Sequence, residues 1–71
     1  GQREGLAGLS TRELQILRLF AEARSIDEIA ESLSLSTKTI SNYLTQIKDK
    51  LNVASSAELV RLAISKGLVT V

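Results

Sequence analysis

From Leu9 to Lys66 the chain contains neither glycine nor proline. Those two residues are the strongest local breakers of helix and strand. Any element boundary in this interval must therefore be set by side chains that bind the backbone. Serine is placed to do it. Ser10-Thr-Arg-Glu13 reads as a capping box, in which the serine hydroxyl accepts from the amide three residues on. The glutamate then reaches back to the serine amide. Leu9 and Leu14 flank this box as a hydrophobic staple, so the pattern predicts a helix from Thr11 to Ala23. Its apolar positions Leu14, Ile16, Leu17, Phe20 and Ala21 follow helical spacing.

Ser25-Ile-Asp-Glu28 is a second box and opens a short helix ending near Leu33, with Ile29, Ala30 and Leu33 facing inward. Ser55-Ser-Ala-Glu58 is a third and opens the last helix, which Gly67 can end in the left-handed conformation. The remaining start is Ser36, stapled by Leu35 and Ile40. This helix runs to Asn52, a residue type that tolerates a left-handed cap. Here the third position holds Thr39, not glutamate. A carboxylate would repel phosphate from the positive helix end, whereas threonine leaves amides and a hydroxyl for an anion. A threonine that is simply tolerated there is the other reading, and the residues leave both open.

Only Ser34-Leu35-Ser36 separates the second and third helices, as in a helix-turn-helix. Ala30 is small enough for the two to cross closely. In the third helix Ile40, Leu44, Ile47 and Leu51 form one buried stripe. The opposite face carries Lys38, Asn42, Thr45 and Asp49, with Ser41 and Gln46 beside them. These groups can donate to or accept from base edges. Asp49 opposes phosphate, but it lies late in a helix whose N-terminal part usually reads bases. It is expected outside the groove.

Composition narrows the class. The chain has 71 residues, room for one small domain. Phe20 and Tyr43 are the only aromatics, so the core must be aliphatic. Without cysteine there is no disulfide and no thiolate metal site. No apolar run reaches membrane-spanning length and no secretory signal is visible, which suits a cytoplasmic protein. Gly1 to Ala7 reads as a linker or cloning remnant, and residues 8–71 as the domain. The net charge of +1 is a weak footprint for nucleic acid. Its distribution says more. Asp27, Glu28 and Glu31 lie between Ser25 and Ser36 with no base among them. Lys38, Lys48 and Lys50 follow, against Asp49 alone. One face can therefore be positive.

Several segments in fixed order carry a resemblance: Leu9-Ser-Thr-Arg-Glu-Leu-Gln-Ile-Leu17, Ile26-Asp-Glu-Ile-Ala-Glu-Ser-Leu33, Leu35-Ser-Thr-Lys-Thr-Ile-Ser-Asn-Tyr43, Ile47-Lys-Asp-Lys-Leu51 and Ala57-Glu-Leu59. From about Leu9 to Val69 the chain resembles the LuxR-type helix-turn-helix domains of NarL/FixJ-class response regulators. The resemblance implies an all-α, four-helix effector-type bundle that binds double-stranded DNA as a dimer at a near-palindromic site. It implies that Ser25 to Leu44 is the helix-turn-helix segment. By position, Ser41, Asn42 and Thr45 would read bases, with Gln46 beside them. Lys38, Thr39 and Lys50 would meet phosphate, with Ser36 at the helix start, and Tyr43 would touch the backbone. Lys48 is left unassigned. Two departures stand out. Ala23-Arg24 replaces the family's usual glycine-containing helix end. Ser41 and Thr45 are short and neutral where some members use lysine, which points toward water-mediated or shape-dependent readout.

The last helix is apolar over an unusually wide arc. At 100° per residue, Ala57, Leu59, Val60, Leu62, Ala63 and Ile64 spread over about 200°. A single buried face is narrower. A symmetric dimer through Val60, Arg61 and Ile64, at least on DNA, would cover the surplus. Leu68 and Val69 folding back would cover it too. No cofactor, small-molecule ligand or membrane is expected. With no histidine, no cysteine and serines accounted for as caps, the residues do not favour catalysis. A protein-interaction bundle and a sigma-factor-like promoter reader are the competing functions, and the helix after Ser55 disfavours the second.

Overall fold

The computed structural model describes residues 8–69. The linker expected over residues 1–7, and the last two residues, lie outside that range. Among the described residues there are four helices and no strand. They are α1 (Thr11–Ala21), α2 (Ile26–Leu33), α3 (Thr37–Leu51) and α4 (Ser56–Ser65). Each begins at a serine in extended conformation whose hydroxyl accepts an amide three residues on. At Ser10 and Ser25 the box is complete, with the glutamate returning to the serine amide at 2.8 and 2.9 Å. At Ser55 only the forward bond forms, from the Glu58 amide at 3.2 Å. The third box is therefore corrected to a simple cap. Ser55 has φ −138°, against −73° at Ser10 and Ser25, and that rotation swings its amide away from Glu58.

The helix ends share one device as well. Ala23, Ser34, Asn52 and Gly67 all have positive φ, at 68°, 57°, 58° and 76°. Each time the following amide reaches five residues back: Arg24 to Leu19, Leu35 to Ala30, Val53 to Lys48 and Leu68 to Ala63. This is the Schellman closure, which satisfies carbonyls that a helix end leaves without partners. Leu35, Val53 and Leu68 also pack on the core. The capping and periodicity pattern predicts α1 through to Ala23. The helix stops at Ala21 because Ala23 is itself the left-handed residue that reverses the chain.

The core comprises Leu9, Ile16, Leu17, Ile29, Ala30, Ile40, Leu44, Ile47, Leu59 and Ala63. Helix α1 packs against each of the other three, and α2 lies against α3. Ile40 and Ile47 of α3 are fully buried and Leu44 nearly so, while Leu51 is half-buried. Each fully buried aliphatic side chain contributes about 1.5–3 kcal/mol by leaving water. That energy holds α3 in place by one stripe and leaves its other side bare.

Glu13 is also buried, with 2% of its surface exposed. Its Oε1 accepts from the Ser10 amide at 2.8 Å and from the Lys50 ammonium at 2.8 Å. The Lys50 hydrogen bond, then the Ser10 amide, hold the carboxyl below the usual glutamate range, against the upward push of burial. A carboxylate whose pKa falls on folding stabilises the fold above its unfolded value, and that contribution is lost as pH drops through its folded value.

Two outcomes follow. Alanine in a left-handed cap carries about 1–2 kcal/mol of strain, while glycine there loosens the unfolded chain by about 0.4–1 kcal/mol. Ala23→Gly should therefore stabilise the domain by about 0.5–1 kcal/mol, read from urea melts. On acidification through and below 4.5, the ordinary value for this side chain, the parent should lose stability that Glu13→Gln lacks at neutral pH. Plotted against pH, the two unfolding free energies should converge at the acid end. Parallel curves would remove Glu13 from the account.

Candidate nucleic-acid interface

The exposed side of α3 is fixed by the side it buries. Lys38, Ser41, Asn42, Thr45, Gln46 and Asp49 are all exposed, as is Ser36 ahead of the helix. Thr39 and Tyr43 are half-buried, and Tyr43 packs partly on the core. The polar face is thus one continuous surface on a 15-residue helix. An α-helix is about 10–12 Å across with its side chains, and the major groove of B-DNA is about 12 Å wide.

The start of α3 is electrostatically distinct. The first turns of α1, α2 and α4 carry Glu13, Asp27 with Glu28, and Glu58. The first turn of α3 carries no acid. Its positive end is therefore not neutralised by a side chain of its own. Ser36 Oγ accepts the Thr39 amide at 3.1 Å and lies 2.9 Å from Thr39 Oγ1. Two hydroxyls hold two protons and use one between them. One O–H remains free to donate outward, whichever residue carries it. The Ile40 amide goes to the Ser36 carbonyl at 3.1 Å. The Thr37 and Lys38 amides lie ahead of any helical partner and face outward for an acceptor. Thr39 is thus part of the cap itself, and the cap keeps a donor for an anion.

Thr45 Oγ1 donates to the Ser41 carbonyl at 3.1 Å. Its hydroxyl proton is committed within the helix. What remains for an outside group is a methyl and an oxygen lone pair. Asn42 makes no side-chain hydrogen bond among the described residues, so both halves of its amide are available. Lys38 forms no ion pair among them, whereas Lys50 does.

Lys50 is the site residue whose surroundings the spacing did not anticipate. Its ammonium is bound to Glu13, across the interface between α3 and α1. By its spacing from Ser10, Glu13 is expected only as a cap. A signal was nonetheless present: Glu13 stands three, four and seven residues before Ile16, Leu17 and Phe20, on the apolar stripe of α1. A carboxylate on that stripe requires a cation from elsewhere in the chain.

On α4, Leu59 and Ala63 are fully buried. Val60, Leu62 and Ile64 are half-buried and stand outside the set of side chains packed on the core, and Arg61 is exposed. Leu68 does fold back onto the core after the Gly67 turn. It leaves Val60 and Ile64 at the margin. No helix among the described residues is long and apolar enough to cross a membrane.

Residues 7–63 match the family of bacterial regulatory proteins, luxR family. The chain is 45% identical over 71 residues to the transcriptional activator protein ExaE of Pseudomonas putida, covering all of this chain and 33% of that protein. It is 44% identical over 62 residues to the response regulator UvrY of Escherichia coli, covering 87% of this chain and 28% of that one. With the transcription regulator BvgA of Bordetella pertussis the identity is 49% over 55 residues, 78% of this chain and 26% of the relative. The chain thus spans a third or less of the length of these relatives. All three carry names of regulators, and the match covers the helix-turn-helix and the first part of α4. The chain belongs to the luxR family of bacterial regulatory proteins.

Proposed function

We propose that this domain is the DNA-binding effector part of a bacterial response regulator, with α3 as the recognition helix in the major groove. The observation that carries the reading is the division of α3 into a fully buried Ile40/Ile47 stripe and an exposed polar face whose positive helix end carries no acid in its first turn. Membership in the luxR family, and the regulator names of its relatives, support it. A cytoplasmic site and a non-catalytic role accompany the proposal.

Each side chain then has a part. Ser36, Thr39 and the first amides of α3 hold one phosphate, with Lys38 adjacent. Asn42 can pair with adenine through its donor and acceptor together. Thr45, its proton committed to Ser41, can offer its methyl to thymine or accept from an exocyclic amino group. Ser41 and Gln46 border this pair and work directly or through water. The half-buried Tyr43 directs its phenol to the backbone.

Selection of bound duplexes from random DNA should return a defined motif. Lys38→Ala should weaken all duplexes alike and lower the slope of log affinity against log salt by about one. Asn42→Ala should instead reduce discrimination at one base pair, by about 1–3 kcal/mol. Binding that persists at high salt, with no motif recovered, would assign the surface to a protein partner instead.

A second copy completes the reading. Val60 and Ile64, flanking exposed Arg61, form a self-complementary strip, and a two-fold axis through α4 would present two recognition helices to a near-palindromic site. Sedimentation on a duplex with paired half-sites should give two chains per DNA. Ile64→Glu should reduce this to one without unfolding the domain.

A further inference from the structure

We propose that Lys50 is a positioning residue that fixes the angle of α3 against α1, and that it does not serve as a phosphate contact. The functional half of this proposal rests on the DNA-binding reading above; the structural half does not.

Three observations carry it. Lys50 Nζ lies 2.8 Å from Glu13 Oε1, and that carboxylate is 2% exposed. A buried carboxylate cannot recover its hydration, so its charge has to be met inside the protein. The Ser10 amide supplies a dipole, and Lys50 supplies the countercharge. The Lys50 side chain remains 46% exposed, but an ammonium paired with a carboxylate at contact distance displaces fewer counterions from DNA than a free one, and counterion release is what a phosphate contact contributes.

The second observation is direction. At 100° per residue, Lys50 stands about 80° from Ile40 and about 120° from Lys38 around α3. It belongs to the shoulder of the buried stripe, not to the middle of the polar face. The third is placement along the chain. Lys50 is in the last turn of α3 and Glu13 in the first turn of α1. Each charge suits its own helix end, so the pair favours both dipoles at once. Helix α1 contacts every other helix. A tie from α1 to the far end of α3 therefore complements the short turn at Ser34–Ser36, which holds the near end. Ile47, Leu51 and Val53 already pack that far end on the core; apolar contacts carry little direction, and the charged hydrogen bond adds one that sets the angle.

A double-mutant cycle over Glu13→Gln and Lys50→Met tests this; methionine keeps the aliphatic stem, so the variant does not open a gap beside Leu51. Two quantities are read for the parent, both single variants and the double: the thermal melt, and anisotropy titration of a selected duplex over a range of salt. The tie predicts that each single variant raises Kd by roughly three- to thirtyfold. The double should be no weaker than the worse single. The salt slope at Lys50→Met should match the parent, unlike Lys38→Ala, and the melts should be non-additive. A phosphate contact predicts the reverse: a slope lower by about one at Lys50→Met, and tighter binding at Glu13→Gln, which frees the ammonium. Either of those results overturns the proposal, as do additive melts. If the parent binds no duplex at any salt, the DNA-binding reading and the positioning role fail together, while the melts still decide whether the tie exists.

Discussion

The structure depends on the burial of one stripe of α3. Ile40 and Ile47 are removed entirely from water, Leu44 almost entirely, and they meet side chains of α1, α2 and α4 in a single aliphatic cluster. A domain this small has a thin margin between apolar burial and chain entropy, and here no disulfide or large aromatic core widens it. The same contacts that stabilise the fold therefore orient the candidate reading face. A change that loosened the stripe would cost both at once, since α3 has no other broad attachment.

That stripe can be confined to one helix only because the helix boundaries are sharp. With glycine and proline absent from the interior, each boundary is made by a pair of local events. A serine hydroxyl closes the start and a left-handed residue closes the end. The pairing keeps connections short: three residues between α2 and α3, four between α1 and α2. Short connections restrict how far one helix can rotate against the next, and the turn at Ser34 is where this matters most for a groove-reading helix.

Much of this was legible in the sequence because it is local. Ser10, Ser25, Ser36 and Ser55 announce helix starts through spacing alone, and the Ile40/Leu44/Ile47 periodicity announces which side of α3 is inside. What escaped was of two kinds. Ala23 and Ser34 occupy conformations that their side chains do not advertise; Asn52 and Gly67 do advertise them, and those two ends were foreseen. The Glu13–Lys50 contact joins residues 37 positions apart, beyond any window of periodicity. Its consequence reaches the candidate site, because a lysine that looked like a free cation has a carboxylate bound to it. The extra apolar arc of α4 was legible as a surplus. Which residues Leu68 would cover was not, since that depends on the path after Gly67.

The distribution of charge ties these points together. A net charge of +1 would not draw this domain to a polyanion. Net charge is nonetheless the wrong quantity for a surface organised by helix. The first-turn acids of α2, Asp27 and Glu28, satisfy its dipole, and Glu13 and Glu28 are further occupied by their serine caps. Glu13 is matched inside the protein by Lys50. Each of these carboxylates is consumed by local structure, so its field is largely met before it reaches the outer side of α3. The start of that helix is left as the one helix N-terminus among the described residues without an acid in its first turn. Placing an acid in the first turn of three helices and a threonine in the fourth thus does two things with one serine-capped motif: it builds the bundle, and it decides which end of which helix remains open to an anion.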